Sequence, residues 1–122
     1  MQLYREKSTI WDLFANADIH SIIAPFGLSI PYKQFEFKNK CKLICRTNTP
    51  KKCNKQNVEI RATPLMHVKL AIGTKGVLFG SFNFSRKSKS KELVAYFDQP
   101  SEIFEFQNLF NYWWDKAMPV KP

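Results

Sequence analysis

Residues 67–85, "HVKLAIGTKGVLFGSFNFS", read as two short strands joined at "GTKG", and the rest of the fold has to supply partners for that hairpin. A strand sends successive side chains to opposite faces, so Val68, Leu70 and Ile72 share one side while His67, Lys69 and Ala71 share the other. Two turns fit. A two-residue turn pairing Gly73 with Gly76 puts His67 opposite Phe82 and leaves Ser81 and Asn83 on the other face. A three-residue loop of Thr74, Lys75 and Gly76, with Gly76 left-handed in a G1 bulge, shifts the register by one. His67 then faces Asn83, Lys69 faces Ser81 and Ala71 faces Phe79. The second register is the expected one, because it gathers the polar groups on one face and turns Val68, Leu70, Ile72, Leu78, Phe82 and Phe84 toward the core.

Further strands are legible on both sides of this hairpin. "ELVAYFD" follows it, and "KLICRT" and "VEIRAT" precede it, each with alternation and β-branched content. "IHSIIAP" is a nearly continuous apolar run ended by Pro25, as in a buried strand. Before it, Ile10, Leu13, Phe14 and Ala17 recur at helical spacing after Thr9, which stands three residues before Asp12 as a capping signal. At the other end Ser101 can cap a helix whose Ile103, Phe106, Phe110, Trp113, Trp114 and Ala117 form one apolar stripe, with Phe104 and Leu109 off it. Signals conflict between Gly27 and Lys42, where Pro31 and "QFEF" fit a short helix, a strand or a loop. The expected fold class is α/β, a mixed β-sheet flanked by helices in one domain spanning 1–122, with residues 1–9 a candidate flexible arm.

Charge is polarised along the chain. Residues 33–91 hold 15 Lys or Arg against two acids, Glu36 and Glu59, whereas the remainder holds four against eight. A basic block of that size suits a polyanionic partner, nucleic acid first and an anionic membrane surface second, or else a solvated basic face. Within it, "NTPKKCNKQN" is a loop bearing Lys51, Lys52 and Lys55 beside Arg46, and "RKSKSK" adds Arg86, Lys87 and Lys89, all candidate nucleic-acid contacts. No long uncharged apolar run and no secretory pattern is present, so the expected location is cytoplasmic. Cys41, Cys45 and Cys53 are then expected as reduced thiols; the C-x3-C spacing has no second ligand pair, so packing explains it better than zinc. His20, at the start of an apolar run, reads as a core or edge residue rather than a catalyst.

The polar patch has its own chemistry. Histidine is the side chain that serves near neutral pH both as nucleophile and as proton carrier. Lys69 and Asn83 can bind the non-bridging oxygens of a phosphate, Ser81 can add a hydrogen bond, and Glu92 can hold the His67 ring in one tautomer. The plain alternative is a half-buried strand pair with polar decoration.

His67-Val68-Lys69 followed by Gly80-Ser81-Phe82-Asn83 resembles the phospholipase D superfamily, whose hallmark is H-x-K, four residues, Asp, and a downstream G-S-x-N. "GSFNFS" is similar to the small bacterial nucleases of that superfamily, and the likeness covers most of the chain from about Ile10, strongly from Val58 to Asp98. Thr74 stands where the family has its Asp, a residue the resemblance implies to be mainly structural at the turn. Glu92 stands where the nucleases have a Glu that orients the histidine. The resemblance implies a phosphodiesterase that needs no metal or other cofactor and works through a phosphohistidine. It also implies two histidines around one phosphorus. With one H-x-K per chain, a homodimer with a shared site is expected. Nucleic acid is the expected substrate; a catalytically inactive nucleic-acid-binding module is the alternative, and a lipid phosphodiesterase a third reading.

Overall fold

In a computed structural model the described residues are 1–48, 53–85 and 90–120. Along the chain they form β1 (Gln2–Tyr4), α1 (Lys7–Asn16), β2 (Ile19–Ile23), β3 (Cys41–Arg46), β4 (Val58–Thr63), β5 (Leu70–Gly73), β6 (Val77–Gly80), β7 (Val94–Phe97), α2 (Pro100–Lys116) and β8 (Met118–Pro119). The strands build one sheet in the order β1-β7-β6-β5-β2-β3-β4-β8. β2, β3 and β4 are mutually parallel and every other pairing is antiparallel, so the sheet is mixed as expected.

Alternation along the central strands divides the core in two. Ile22, Leu43, Ala71 and Leu78 face Ile10, Trp11 and Phe14 of α1, while Ile23, Ile44, Leu70, Ile72 and Val77 face Phe110 and Trp114 of α2. A strand covered on both faces has no polar side to show, which is why "IHSIIAP" reads as a continuous apolar run. The hairpin therefore does not turn its apolar residues to a single core. Val68, Leu70 and Ile72 go to the α2 side, whereas Leu78, Phe82 and Phe84 go to the α1 side with Trp11 and Phe14.

Its register is the two-residue alternative. Leu70 pairs with Phe79, Ala71 with Leu78 and Ile72 with Val77, and the Gly73 N–H donates to the Gly76 carbonyl at 2.9 Å. Gly76 is not left-handed. The turn is set by what it docks against: the Thr74 and Lys75 N–H groups donate to the Asp18 and Ala17 carbonyls. A Cβ on Gly73 would lie 2.0 Å from the Ala17 carbonyl oxygen, so glycine is required there by close approach.

Both helices begin earlier than their capping signals suggest. Glu6, not Thr9, is the N-cap of α1, and Gln99 that of α2, where Pro100 takes the first position and the Glu102 carboxylate accepts from the Gln99 N–H at 3.3 Å. Residues 2–4 are not a loose arm but the strand β1, paired with β7. The ambiguous segment after Gly27 is irregular. It carries the chain between parallel β2 and β3, anchored by buried Leu28, Ile30 and Phe37 and by the Asn54 amide, which bonds both the N–H and the carbonyl of Ile30.

Candidate active site

β2, β3 and β4 end at one border of the sheet, and antiparallel β5 begins there. His67 and Lys69 lie just before β5, and Ser81 and Asn83 just after β6, so the motif occupies chain at the strand ends rather than a ladder face. Glycine makes this arrangement possible. The Gly80 N–H reaches the Lys69 carbonyl at 3.4 Å, and a Cβ on Gly80 would stand 2.2 Å from the Leu93 carbonyl oxygen. Past Gly80 the chain leaves β5 and closes onto the start of β7: the Ser81 N–H donates to the Leu93 carbonyl at 3.1 Å, and the Leu93 N–H donates to the Ser81 hydroxyl oxygen at 3.0 Å. Phe82 and Phe84 then anchor the segment in the α1-side core, with Asn83 between them half-buried.

Lys69 dominates the electrostatics. It is only 8% exposed, and its ammonium donates to the His67 carbonyl at 3.0 Å. Among the described residues no carboxylate lies within ion-pair distance of it. A buried cation without a counter-ion is costly to hold, and an incoming anion relieves that cost. Two more polar groups here are short of partners. The Asn83 Oδ1 and the Glu92 Oε2 are buried with no hydrogen bond. A half-turn of the Asn83 amide would present its nitrogen at the same point, as a donor. The Ser81 hydroxyl donates to the other Glu92 oxygen, Oε1, at 3.4 Å.

His67 itself is exposed, and its ring has no hydrogen-bond partner among the described residues. Among the described residues Glu92 thus hydrogen-bonds Ser81 and not the imidazole. His20 lies at the opposite end of the sheet, since Ile19 pairs with Gly73; it is half-buried on β2 with Nδ1 3.0 Å from the Ser21 hydroxyl. Burial holds its pKa below the ordinary value, Lys42 reinforcing and Asp18 opposing.

The remaining expected contacts separate into two groups. The Lys55 ammonium donates to the Tyr32 and Lys33 carbonyls at 2.7 and 3.3 Å, tying the irregular segment down. Lys51, Lys52, Arg86, Lys87 and Lys89 lie outside the described residues. Cys41 and Cys45 are buried and Cys53 half-buried, all as free thiols. Thr74, at the family's Asp position, donates its hydroxyl to the Asp18 carboxylate at 2.8 Å. The carboxylate at this turn therefore comes from the α1–β2 corner. Sequence reasoning had no signal for that pairing, which joins residues far apart in the chain.

Among the described residues no helix is long and apolar enough to cross a membrane. No protein-family model matches the sequence, and no curated protein matches it. Solved structures do match. Nuc from Salmonella typhimurium, a phospholipase D family member, superposes with a TM-score of 0.72 at 15% identity, over 99% of this chain and 97% of its own. NucT from Helicobacter pylori gives 0.62 at 14% identity over 98% of both chains. TrmBL2, an archaeal chromatin protein with a novel mode of DNA binding, gives 0.61 at 14% identity, over 98% of this chain and 54% of its own. With eight strands in a mixed sheet between two helices, matched nearly end to end by Nuc, this chain has the phospholipase D-like fold.

Proposed function

We propose that the protein is a metal-independent phosphodiesterase acting on nucleic acid, at a site that two subunits complete. The observation that carries this reading is the buried, carboxylate-free ammonium of Lys69 beside exposed His67. It is a place for a phosphate with a nucleophile at its edge. His67 attacks phosphorus, the bond to the leaving nucleotide oxygen breaks, and the partner's His67 gives that oxygen its proton. The partner's His67 next takes a proton from water, whose oxygen displaces the first imidazole from phosphorus. Lys69 and Asn83 hold the non-bridging oxygens, where charge accumulates. Ser81 assists, and the unpaired Glu92 Oε2 is the acceptor to which the His67 ring turns once substrate is bound.

The second subunit is required because the chain has two histidines and His20 is at the wrong end of the sheet, on the order of 18 Å from His67 at about 3.3 Å per residue. Exposed Leu93, Phe104 and Leu109 supply apolar surface for a contact between copies. Lys51, Lys52, Arg86, Lys87 and Lys89 are the cations of the basic block proposed to take backbone phosphates.

The test is digestion of plasmid and of single-stranded oligonucleotide in excess EDTA. Wild type turns over, and His67→Ala loses at least about a hundredfold. Equal, metal-dependent degradation by both proteins overturns the reading. The fold shared with TrmBL2, whose structure is of a DNA-binding protein, favours one alternative, a non-catalytic nucleic-acid-binding module. That protein would bind with a steep salt dependence and turn over nothing.

A further inference from the structure

The irregular segment between β2 and β3 and the turn that leads into β4 border a cavity of about 340 Å³, a volume that suits a small-molecule ligand. Lys33, Phe35 and Glu36 line it from the segment, and Lys55, Gln56 and Asn57 from the turn. Asn57 immediately precedes β4, which begins at the end of the sheet away from His67, so this cavity is separate from the candidate active site.

Its walls are pinned together. The Lys55 ammonium holds the Tyr32 and Lys33 carbonyls, and the Asn57 amide nitrogen donates to the Phe37 carbonyl at 3.4 Å. The Asn54 amide bonds both backbone groups of Ile30, and the Tyr32 hydroxyl donates to the Asp12 carboxylate of α1 at 3.0 Å. Phe35 is half-buried, with the Phe37 ring edge-on to it at 5.0 Å and the Phe14 ring tilted at 5.8 Å, which fixes its orientation. A site assembled in advance loses little ordering entropy on binding.

The lining offers four kinds of group. Lys33 and Lys55 bring two ammonium groups, and among the described residues neither has a carboxylate within ion-pair distance. Glu36 brings an exposed carboxylate in no ion pair, Gln56 an exposed amide, and Phe35 a phenyl ring. We propose that this cavity binds a ribonucleoside monophosphate, with the phosphate between Lys33 and Lys55, the ribose hydroxyls on Glu36, and the base against Phe35 with its edge on Gln56. Ammonium groups neutralise a phosphate as point charges. An ionised carboxylate only accepts hydrogen bonds, and ribose hydroxyls are the nucleotide's donors for it. An aromatic ring takes the face of any base. Glu36 argues against a bare anion as the ligand, because a carboxylate in the lining repels it. The proposal stands apart from the phosphodiesterase reading and uses none of its residues.

The test is a titration followed through the side-chain amide signals of Asn54, Gln56 and Asn57 in proton–nitrogen correlation spectra. It uses the full chain carrying His67→Ala, so that no probe is cleaved. Adenosine 5′-monophosphate is expected to move these signals. Its 2′-deoxy form and adenosine, which lack a hydroxyl and the phosphate respectively, are each expected to bind about tenfold more weakly. Glu36→Ala is expected to abolish the difference between ribo and deoxy forms, and Lys33→Ala to bring the nucleotide down to the level of adenosine. Lys55 is left in place because it ties the wall. Lys38→Ala, which removes the same charge from outside this lining, is expected to change nothing. A short oligoribonucleotide with a 5′-phosphate separates the two sources of this chemistry: if it displaces the mononucleotide the site takes a strand end, and if it does not the site takes the free nucleotide. Shifts confined to the Asn83 amide would put the nucleotide at the His67 border, overturning the proposal while the phosphodiesterase reading stands. Equal affinity for the three small probes, full affinity in Lys33→Ala, or no shift at all overturns it as well.

Discussion

Lys69 and His20 show how differently two ionisable side chains are held on this sheet. Lys69 is buried and has a backbone carbonyl as its partner, an arrangement that favours a bound anion. His20 is held toward its neutral form by burial, with its pKa below the ordinary 6.5. The unfolded chain therefore takes up the proton first. Stability contributed by neutral His20 is complete above pH 6.5, declines as pH falls below that value, and levels off once the folded form is protonated too. Thermal midpoints measured from pH 7.5 downward should show this decline, and His20→Gln should flatten it. A wild-type slope retained in the variant would place the titration elsewhere. Activity should not depend on His20, because it stands near the hairpin turn rather than at the His67 border.

At the scale of elements, the Thr74–Asp18 bond replaces the carboxylate that the resemblance places at position 74. Thr74→Val should lower stability by about 1 kcal/mol without reducing turnover in EDTA. Installing the family's residue should do more harm: Thr74→Asp sets one carboxylate against another, and Asp18→Asn in the same protein should restore the loss. Chemical denaturation of the three variants measures this, and a stabilising Thr74→Asp would show that the turn has another lock. Much at this scale was legible in the sequence. β2, β3, β4 and β7 announced themselves through apolar alternation or continuous runs, and α2 through its stripe, of which Phe110, Trp114 and Ala117 are buried. What failed was local reasoning about contacts made far away in the chain. Grouping the polar residues favoured a bulged hairpin, yet docking of Thr74 and Lys75 on the α1–β2 corner fixed a tighter one. Lys55 looked like one more surface cation, and only the fold shows its two carbonyl partners. β1 and β8, three and two residues long, are too short for any periodicity and exist because β7 and β4 offer them an edge.

The whole molecule is a sheet with one chemically distinctive border, bearing one imidazole. If two copies complete the site, titrating wild type with excess His67→Ala should depress activity beyond simple dilution, because mixed pairs lack one of the two imidazoles. A strict monomer in dilute solution that still turns over would end the shared-site proposal. How the copies could meet is narrowed by the sheet's far margin. There Pro119 pairs with Arg61 in β8, and a proline has no N–H to extend toward another chain. Fusion of two molecules through that margin into a continuous ribbon is thus discouraged, and the same omission guards against fibrillar growth from it.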